Sequence, residues 1–345
     1  MARPEIATKT RQIDGLTPDT VRFEDWLEAG EPVIFKGLAA HWPLVEAGRQ
    51  SAEAAMAYLE GFDGGRPVVV YTGAPEIGGR FFYNDDLTGM NFQAARLQLA
   101  EVLGRIRALD GQADAPSIYI GSTDLDTYLP GLRAANDLTH AQPLFQSWPP
   151  IASIWMGNRT TAAAHWDMSN NIACCAVGRR RFTLFPPDQV HNLYPGPLEP
   201  TPGGQVVTMV DLRDPDFERF PRARKAFEAA QLAELEPGDV LLYPALWWHE
   251  VEALDPFNAM INYWWNAVPG FMDTPMNTLL HALLSLRDRP GAEKQAWRTM
   301  FDHYVFGPAE RAGEHLPEHA RGALGPMDDT KARRLRAQLL QRLNR

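Results

Sequence analysis

Cysteine is scarce in this chain, and its placement excludes whole classes of small secreted protein. Among 345 residues there are two cysteines, Cys174 and Cys175, and they are adjacent. No third cysteine can pair with either of them, so a disulfide framework is excluded and a reducing compartment is favoured. Neighbouring residues of a strand point to opposite faces, which makes this pair a poor metal clamp. We interpret both thiols as packing residues.

Long apolar runs and a basic excess are also missing. No segment approaches the ~20 apolar residues that span a bilayer, and Met1–Thr10 lacks an apolar signal-peptide core. We therefore expect a cytoplasmic protein with no membrane partner. The formal net charge of −10 argues against a phosphate-backbone binder, so we expect no nucleic-acid partner. The one basic concentration, Lys331–Arg345, fits the solvated face of a final helix.

Short apolar or alternating runs, broken by Pro and Gly, dominate the chain from Ser117 to Val268. Several short strands with turn signals between them predict a mainly β core, a barrel or a sandwich. Barrels of this size often form one unit rather than two. The predicted strands are Ser117–Ile120, Ile151–Met156, Asn171–Val177, Arg180–Phe185, Val206–Val210, Val240–Tyr243 and Ala259–Trp265.

The segment before this core mixes both kinds of secondary structure. Pro32–Gly37 and Arg66–Tyr71 are predicted strands, because they are short, apolar and rich in β-branched residues. Ala52–Leu59 and Phe92–Leu109 are predicted helices, the second from apolar residues at helical spacing.

Three amphipathic helices are predicted after the core. They begin at Thr274-Pro275, with Thr as N-cap, and continue with Glu293–Val305 and Lys331–Leu343. Their apolar stripes have to be buried, either on the barrel or in a dimer interface. We therefore expect three regions: α/β elements in 1–116, the β core in 117–268 and a helical segment in 269–345.

Two histidines and one aspartate are candidate metal ligands. His165 and Asp167 are spaced i and i+2, so on a strand they point to the same face. His249 follows the strand-like Val240–Tyr243 and a breaker at Pro244, which puts it at a strand rim. Two imidazoles and a carboxylate are the facial triad that holds ferrous iron and leaves positions open for substrate and dioxygen. The pattern predicts an oxygenase.

Arg180 is a second candidate site residue. Period-2 alternation puts it on the same face as Phe182 and Leu184, the face that looks inward. A guanidinium inside a barrel is costly unless an anion meets it, and a carboxylate fits its planar fork best. That anion is either a protein Asp or Glu, or the distal carboxylate of a dicarboxylate cosubstrate whose other end chelates the metal.

Six segments of the chain share the pattern of a known family. They are His165–Gly178, Leu184–Gln189, Leu193–Pro195, Asp214–Pro221, Pro237–Val240 and Trp247–His249. Through them the chain resembles, over roughly Pro32 to Val268, the JmjC and cupin-8 family of Fe(II)/2-oxoglutarate oxygenases, most closely its asparaginyl hydroxylases. The resemblance implies a double-stranded β-helix (jelly-roll) core, with His165, Asp167 and His249 as iron ligands. It also implies a hydroxylase that uses Fe(II), 2-oxoglutarate and O2, and a homodimer formed by the C-terminal helices.

By position, the resemblance also implies cosubstrate contacts from Tyr119, Asn171 and Asn262, with Trp264 beside the metal. Two positions depart from the pattern. Arg180 stands where those hydroxylases have a lysine, and Ala162 stands where they have a threonine.

Two other functions remain open from the sequence. The first is a cupin of another class, with zinc or manganese, acting as an isomerase or a cosubstrate-free dioxygenase. The second is a binding module that keeps its metal for structure only. The substrate, a protein side chain or a small molecule, is not indicated by any residue pattern.

Overall fold

The computed structural model describes residues 3–112, 114–140 and 142–344. The chain separates into two compact units, one that ends at Asn266 and one that begins at Ala267. In the described residues no helix is both long and apolar enough to cross a membrane.

Strands make up most of the first unit. In chain order they are β1 Arg11–Ile13, β2 Val33–Phe35, β3 Val68–Gly73, β4 Arg80–Phe81, β5 Phe92–Leu97, β6 Ser117–Asp124, β7 Ile151–Gly157, β8 Thr161–Trp166, β9 Asn170–Val177, β10 Arg180–Phe185, β11 Gln231–Leu235, β12 Val240–Tyr243, β13 Trp248–Ala253 and β14 Asn258–Trp265.

Helices lie mainly before the core and after it. The first unit contains α1 Phe23–Leu27, α2 Pro43–Gln50, α3 Ala52–Glu60, α4 Leu99–Ala108, α5 Leu125–Tyr128, α6 Pro143–Ser147 and α7 Ala223–Ala229. The second unit contains α8 Pro275–Leu286, α9 Gly291–Phe301 and α10 Asp329–Leu343.

Two sheets form the core of the first unit. One has nine strands in the order β1-β2-β12-β9-β14-β7-β6-β3-β5, and the other has five in the order β11-β10-β13-β8-β4. Apart from the β1–β2 and β4–β8 pairs, neighbouring strands are antiparallel. Apolar side chains of both sheets meet in one cluster, for example Phe182 and Leu184 of β10 with Ala173 of β9. The mainly β, jelly-roll prediction is confirmed.

A larger apolar cluster covers the other face of the nine-stranded sheet. Val68 and Val70 of β3 pack there with Val102 and Leu103 of α4. The two cysteines divide between the clusters as strand alternation requires, Cys174 on the helix side and Cys175 inside the barrel. Both are buried and free, so their interpretation as packing residues is confirmed.

The predicted helix Phe92–Leu109 is wrong in its first third. Phe92–Leu97 is strand β5, and the helix begins at Leu99, after Gln98 in an extended conformation. Pairing of β5 with β3 along its whole length overrides the local helical spacing. The local pattern predicts a helix because Phe92 and Ala95 continue the helical spacing of Leu99 and Val102.

The predicted strand Val206–Val210 is also wrong, because this segment makes only isolated bridges, His165 with Val207 and Pro195 with Thr208. The Thr208 hydroxyl accepts from the Val210 N–H at 3.1 Å and donates to the Leu193 carbonyl. A side chain that bonds the backbone in this way competes with a continuous ladder.

Six strands were not predicted as strands, namely β1, β4, β5, β8, β11 and β13. In β13, Glu250 and Glu252 occupy the positions that face away from the barrel interior, so the strand lacks a clean apolar and polar alternation. Both carboxylates are nevertheless buried, because Arg3 donates to each of them.

The helices of the second unit agree with their predicted positions at their starts. Thr274 caps α8, its hydroxyl accepting from the Met276 N–H at 3.4 Å. The helix predicted over Glu293–Val305 is an α-helix only as far as Phe301. A π-helical turn follows it over Asp302–Phe306.

Candidate active site

A cavity of about 450 Å³ lies inside the first unit, between the two sheets. This is the size of a small-molecule or cofactor site. All eight site residues indicated by the sequence line it: His165, Asp167, His249, Arg180, Tyr119, Asn171, Asn262 and Trp264. Tyr119 and Trp264, which are 145 positions apart in the chain, are therefore brought to one place by strand pairing.

His165 and His249 are direct cross-strand neighbours. They lie opposite each other on β8 and β13, and their ring centroids are 4.3 Å apart. Asp167 follows β8, and its Oδ2 lies 3.6 Å from Nε2 of His249. One ligand atom from each of the three residues falls within 4.8 Å of the other two. This spacing suits three ligands of a single ion.

The tautomers of both imidazoles also fit metal binding. Nδ1 of His165 donates to the Ala163 carbonyl at 2.8 Å, and Nδ1 of His249 donates to the Trp247 carbonyl at 3.0 Å. Because a carbonyl only accepts, Nδ1 carries the proton of each neutral ring, and Nε2 keeps a free lone pair. A backbone partner on the second nitrogen is how ligating histidines are usually oriented.

The neutral form of His249 is strongly favoured. Burial is the main cause, and repulsion from His165 adds to it, while Asp167 opposes it; together they lower the pKa of His249 to about 4. A neutral imidazole is the form that binds a metal.

A chain of amide hydrogen bonds orients Asp167. Nδ2 of Asn171 donates to Oδ2 of Asp167 at 3.4 Å, and Nδ2 of Asn262 donates to Oδ1 of Asn171 at 3.4 Å. The indole N–H of Trp155 completes the chain by donating to Oδ1 of Asn262 at 2.7 Å. The backbone carbonyl of Asp167 accepts from the Leu246 N–H at 2.8 Å.

Arg180 is a buried cation without a carboxylate partner. Its exposed fraction is 3%, and no Asp or Glu side chain in the described part of the chain forms a salt bridge with it. Its Nε has no hydrogen-bond partner. Burial lowers the pKa of Arg180, and Cys175 and Tyr119 oppose that shift. The sequence left two possible anions for Arg180, a protein carboxylate or the carboxylate of a cosubstrate. Among the described residues no protein carboxylate pairs with it.

Two phenols stand near the charged groups. Burial raises the pKa of Tyr119, and the positive charge of Arg180 reduces that shift. Burial and the Asp167 carboxylate raise the pKa of Tyr243 well above its ordinary value. The Tyr243 ring packs 4.8 Å from the ring of His249. Both hydroxyls stay protonated at neutral pH, so each can donate a hydrogen bond into the cavity.

Comparison with known proteins identifies the architecture. The sequence profile of the "Cupin-like domain" family matches residues 18–271, about three quarters of the chain. The chain belongs to the cupin-like domain family. The resemblance to JmjC and cupin-8 proteins is thereby confirmed, as is the fold that it implied.

Curated relatives of this cupin-like chain are similar over parts of their length. Human HSPB1-associated protein 1 is 36% identical over 115 residues, 33% of this chain and 23% of that protein. Lysine-specific demethylase 8 of Xenopus tropicalis is 26% identical over 253 residues, 72% of this chain and 51% of that protein. Jumonji C domain-containing protein 5 of Drosophila melanogaster is 26% identical over 242 residues, 69% and 55%. The chain thus spans about a quarter to about half of the relatives' length.

Several cavity residues of the cupin-like barrel were not found from the sequence. Tyr71, Trp155, Tyr243 and Met260 line the cavity from the nine-stranded sheet. Their strands are apolar on both faces, so alternation does not reveal which side chains face inward. The segment Thr201–Gln205 lines the cavity as well, and only its two glycines mark it as a loop.

Proposed function

We propose that this protein is an Fe(II)- and 2-oxoglutarate-dependent oxygenase that oxidises a C–H bond of its substrate. The observation that carries the proposal is the coexistence, in one cavity, of an open-sided His-Asp-His cluster and a buried arginine without a protein anion. A metal site alone fits many cupins. A buried, unpaired guanidinium beside it calls for an anionic cosubstrate.

The site residues predicted from the sequence each have a role in the proposed reaction. His165, Asp167 and His249 hold the metal through two Nε2 atoms and one carboxylate. Arg180 pairs with the distal carboxylate of 2-oxoglutarate, since a planar guanidinium binds a carboxylate through two parallel hydrogen bonds. The hydroxyl of Tyr119 lies near Arg180 and donates to the same carboxylate.

Other residues act through these. Asn171 and Asn262 hold the Asp167 carboxylate in its orientation through their hydrogen bonds. The indole N–H of Trp264 is buried and has no partner among the described residues, so it is free to donate to a ligand. The aromatic walls exclude water, which keeps the charged pairs strong. Bound Fe(II) with 2-oxoglutarate and O2 supplies an oxidant for unactivated C–H bonds, and 2-oxoglutarate leaves as succinate and CO2.

Hydroxylation and demethylation share this reaction. One of the relatives above is called a Jumonji C domain-containing protein, and another is called a lysine-specific demethylase. Oxidation of an N-methyl C–H bond gives an N-hydroxymethyl group that releases formaldehyde, whereas oxidation of a carbon chain gives a stable alcohol. Both products follow from oxidation of a C–H bond, and the substrate determines which of them forms.

The test is anaerobic binding of Fe(II) followed by 2-oxoglutarate. We expect a metal-to-ligand charge-transfer band that needs both components, and succinate once air is admitted. Arg180→Met should still bind Fe(II) but should lose the band at 2-oxoglutarate concentrations that saturate the unmodified protein. His191→Ala is the matched control, because His191 is exposed and outside the cavity. Absence of the band and of succinate in the unmodified protein would refute the proposal.

We also propose that the second unit pairs two copies of the chain. It carries large apolar side chains in solvent, above all Leu284, 80% exposed, and Phe306, 75% exposed. Large apolar side chains left exposed in such number are typical of protein interfaces. Further exposed apolar residues of the same unit are Leu279, Leu280, Trp297, Met300, Tyr304, Val305, Leu339, Leu340 and Leu343.

A further inference from the structure

Residues 3–10, which we call the N-terminal segment, lie against the five-stranded sheet on the side away from the cavity. The Thr10 N–H donates to the Leu232 carbonyl at 3.0 Å, and the Leu232 N–H donates to the Thr8 carbonyl at 2.9 Å. These bonds join the segment to β11, an edge strand of that sheet. The segment is therefore held in place by backbone pairing, and its side chains reach the strands beside β11.

Both chain neighbours of the metal-ligand candidate His249 are held from this side. Trp248 and Glu250 flank His249 on β13, so strand alternation directs them away from the cavity. Trp248 is buried in the same apolar cluster as Ile6 of the N-terminal segment. Arg3 of that segment donates to Oε1 of Glu250 at 3.2 Å. One short segment thus supplies a group that supports each neighbour of His249.

Arg3 is the centre of a buried polar cluster. Its side chain is 21% exposed, and it donates to Glu252 and, at 2.8 Å, to Oγ1 of Thr183 as well as to Glu250. Glu252 also pairs with Arg181 at 3.5 Å. Among the described residues, Arg3 is the side chain that donates a hydrogen bond to Glu250. A polar group as deeply buried as Glu250 is costly without a partner, so its position depends on Arg3.

The pairing of β13 with β8 is irregular directly beside the metal ligands. His249 lies opposite His165, whereas Val251 lies opposite Ala162. One residue of β13, Glu250, is therefore set against two residues of β8, which is a β-bulge. A bulge bends the strands and interrupts the ladder locally. The direction of the His249 side chain consequently depends on what holds Glu250 as well as on the ladder.

We propose that Arg3 is a positioning residue for the metal site. It holds Glu250 from outside the barrel, which fixes the bulge and with it the direction of the His249 imidazole. Metal binding and docking of the N-terminal segment then favour each other, because coupling between two sites is reciprocal. The inference rests on the metal site of the proposed function, and it needs neither 2-oxoglutarate nor turnover for its test.

The first measurement is Mn(II) affinity by isothermal titration calorimetry. Arg3→Met keeps much of the apolar stem and removes the donors, and we expect it to weaken Mn(II) binding by about fivefold or more. Lys9→Met is the matched control, because it removes a cation from the same segment. The pair of Lys9 with Glu234 spans 3.7 Å, and both side chains are more than half exposed, so this variant should bind Mn(II) like the unmodified protein.

A double-mutant cycle tests whether Arg3 acts through Glu250. Glu250→Leu removes the acceptor and fills a similar volume. In that background Arg3→Met should change Mn(II) affinity by less than about twofold, because the contact that carries the coupling is already absent. Melting temperatures of the four proteins separate positioning from stability, since a purely structural role for Arg3 would lower the melting temperature and leave Mn(II) affinity unchanged.

The reciprocal effect is measured on the unmodified protein by amide hydrogen exchange. Saturation with Mn(II) should slow exchange at Thr10, whose N–H bonds to Leu232, by about fivefold or more. Strand β5, at an edge of the other sheet, is the control region and should exchange at the same rate with and without Mn(II). This measurement decides the matter even if Arg3→Met does not fold.

The inference is wrong if Arg3→Met binds Mn(II) normally, if Lys9→Met loses as much affinity, or if Thr10 is slowed no more than β5. It is also wrong if Arg3→Met weakens binding equally in the Glu250→Leu background. Absence of Mn(II) binding by the unmodified protein would refute the metal site itself. Normal Mn(II) binding without a 2-oxoglutarate band would refute the oxygenase function and leave the role of Arg3 standing.

Discussion

His249 lies directly across from His165 on the neighbouring antiparallel strand, with the two rings 4.3 Å apart. Burial, and secondly repulsion from His165, disfavour protonation of His249, so this ring stays neutral. Each ring is fixed by its own backbone carbonyl, which leaves both Nε2 atoms free to act as ligands. The geometry is that of a preformed metal site.

Replacing one ligand should remove metal binding without unfolding the barrel. For His249→Ala we expect Mn(II) or Fe(II) affinity to fall on the order of 100-fold or more, since loss of a supporting partner alone costs 10–100-fold. Isothermal titration calorimetry under anaerobic conditions measures it, and His191→Ala should bind like the unmodified protein. Unchanged affinity in His249→Ala would remove this residue from the site.

Asn262 should affect metal affinity, because its hydrogen bond to Asn171 helps to orient the Asp167 carboxylate. The variant Asn262→Leu breaks the hydrogen bonds from Trp155 and to Asn171, so the Asp167 carboxylate loses orientation. We expect metal affinity to fall by about tenfold or more, with all three ligands intact. The same titration tests it. Asn277→Leu, at an exposed position outside the cavity, is the control. Equal affinity in Asn262→Leu and the unmodified protein would show that the amide chain has no influence on the metal.

Replacing Arg180 should raise the free energy of unfolding and weaken the binding of 2-oxoglutarate. Arg180→Met removes a buried charge that has no protein anion, so the free energy of unfolding should rise on the order of 1–4 kcal/mol in the absence of 2-oxoglutarate. Affinity for 2-oxoglutarate should fall on the order of 100-fold. Urea unfolding and ligand titration measure the two quantities. A destabilised Arg180→Met variant would mean that the guanidinium has a partner inside the protein.

Glu250 should make stability depend on pH. Burial is the main cause, and repulsion from Glu252 adds to it, while Arg3 and Arg80 oppose it; the result raises the pKa of Glu250 to about 8. Because the folded pKa lies above the ordinary value of 4.5, this group's contribution to stability is complete below pH 4.5 and is lost as pH rises through about 8.

Glu250→Gln tests this linkage. The variant should be more stable than the unmodified protein near pH 9, by on the order of a few kcal/mol, and should lose this group's share of the pH dependence between pH 4.5 and 8. Thermal unfolding followed by circular dichroism across that range measures it. Parallel curves for the two proteins would contradict the predicted titration.

The second unit should determine the oligomeric state. We expect the purified chain to be a dimer, and Leu284→Glu to yield monomers, because a carboxylate in an apolar interface has to be desolvated. Light scattering after size-exclusion chromatography measures the mass of each. Glu293→Gln, a charge change on α9 in the same unit, should remain dimeric. A monomeric unmodified chain at micromolar concentration would exclude the proposed pairing.

Much of the site followed from strand periodicity. The i and i+2 spacing put His165 and Asp167 on one side, and alternation along β10 put Arg180 with Phe182 and Leu184 inside the barrel. The strand of His249 was not predicted, because Glu250 and Glu252 obscure its alternation of apolar and polar residues. Their burial depends on hydrogen bonds from Arg3, about 250 residues away in the sequence. That these residues bind iron and 2-oxoglutarate remains a prediction.

The sequence by itself determined that Arg180, Phe182 and Leu184 share one face of β10, because the two-residue period of a strand is a local property of the backbone. It also predicted the helix start at Thr274, because the capping hydroxyl accepts a hydrogen bond from the N–H of Met276, only two residues along the chain. Only the tertiary structure decided that Arg180 has no salt bridge to a carboxylate among the described residues, that Asn262 reaches Asp167 through Asn171, and that Phe92–Leu97 is an edge strand rather than a helix. Those three facts depend on which segments meet across the sheets, and no local pattern records the partner of a strand or the charge opposite a buried group.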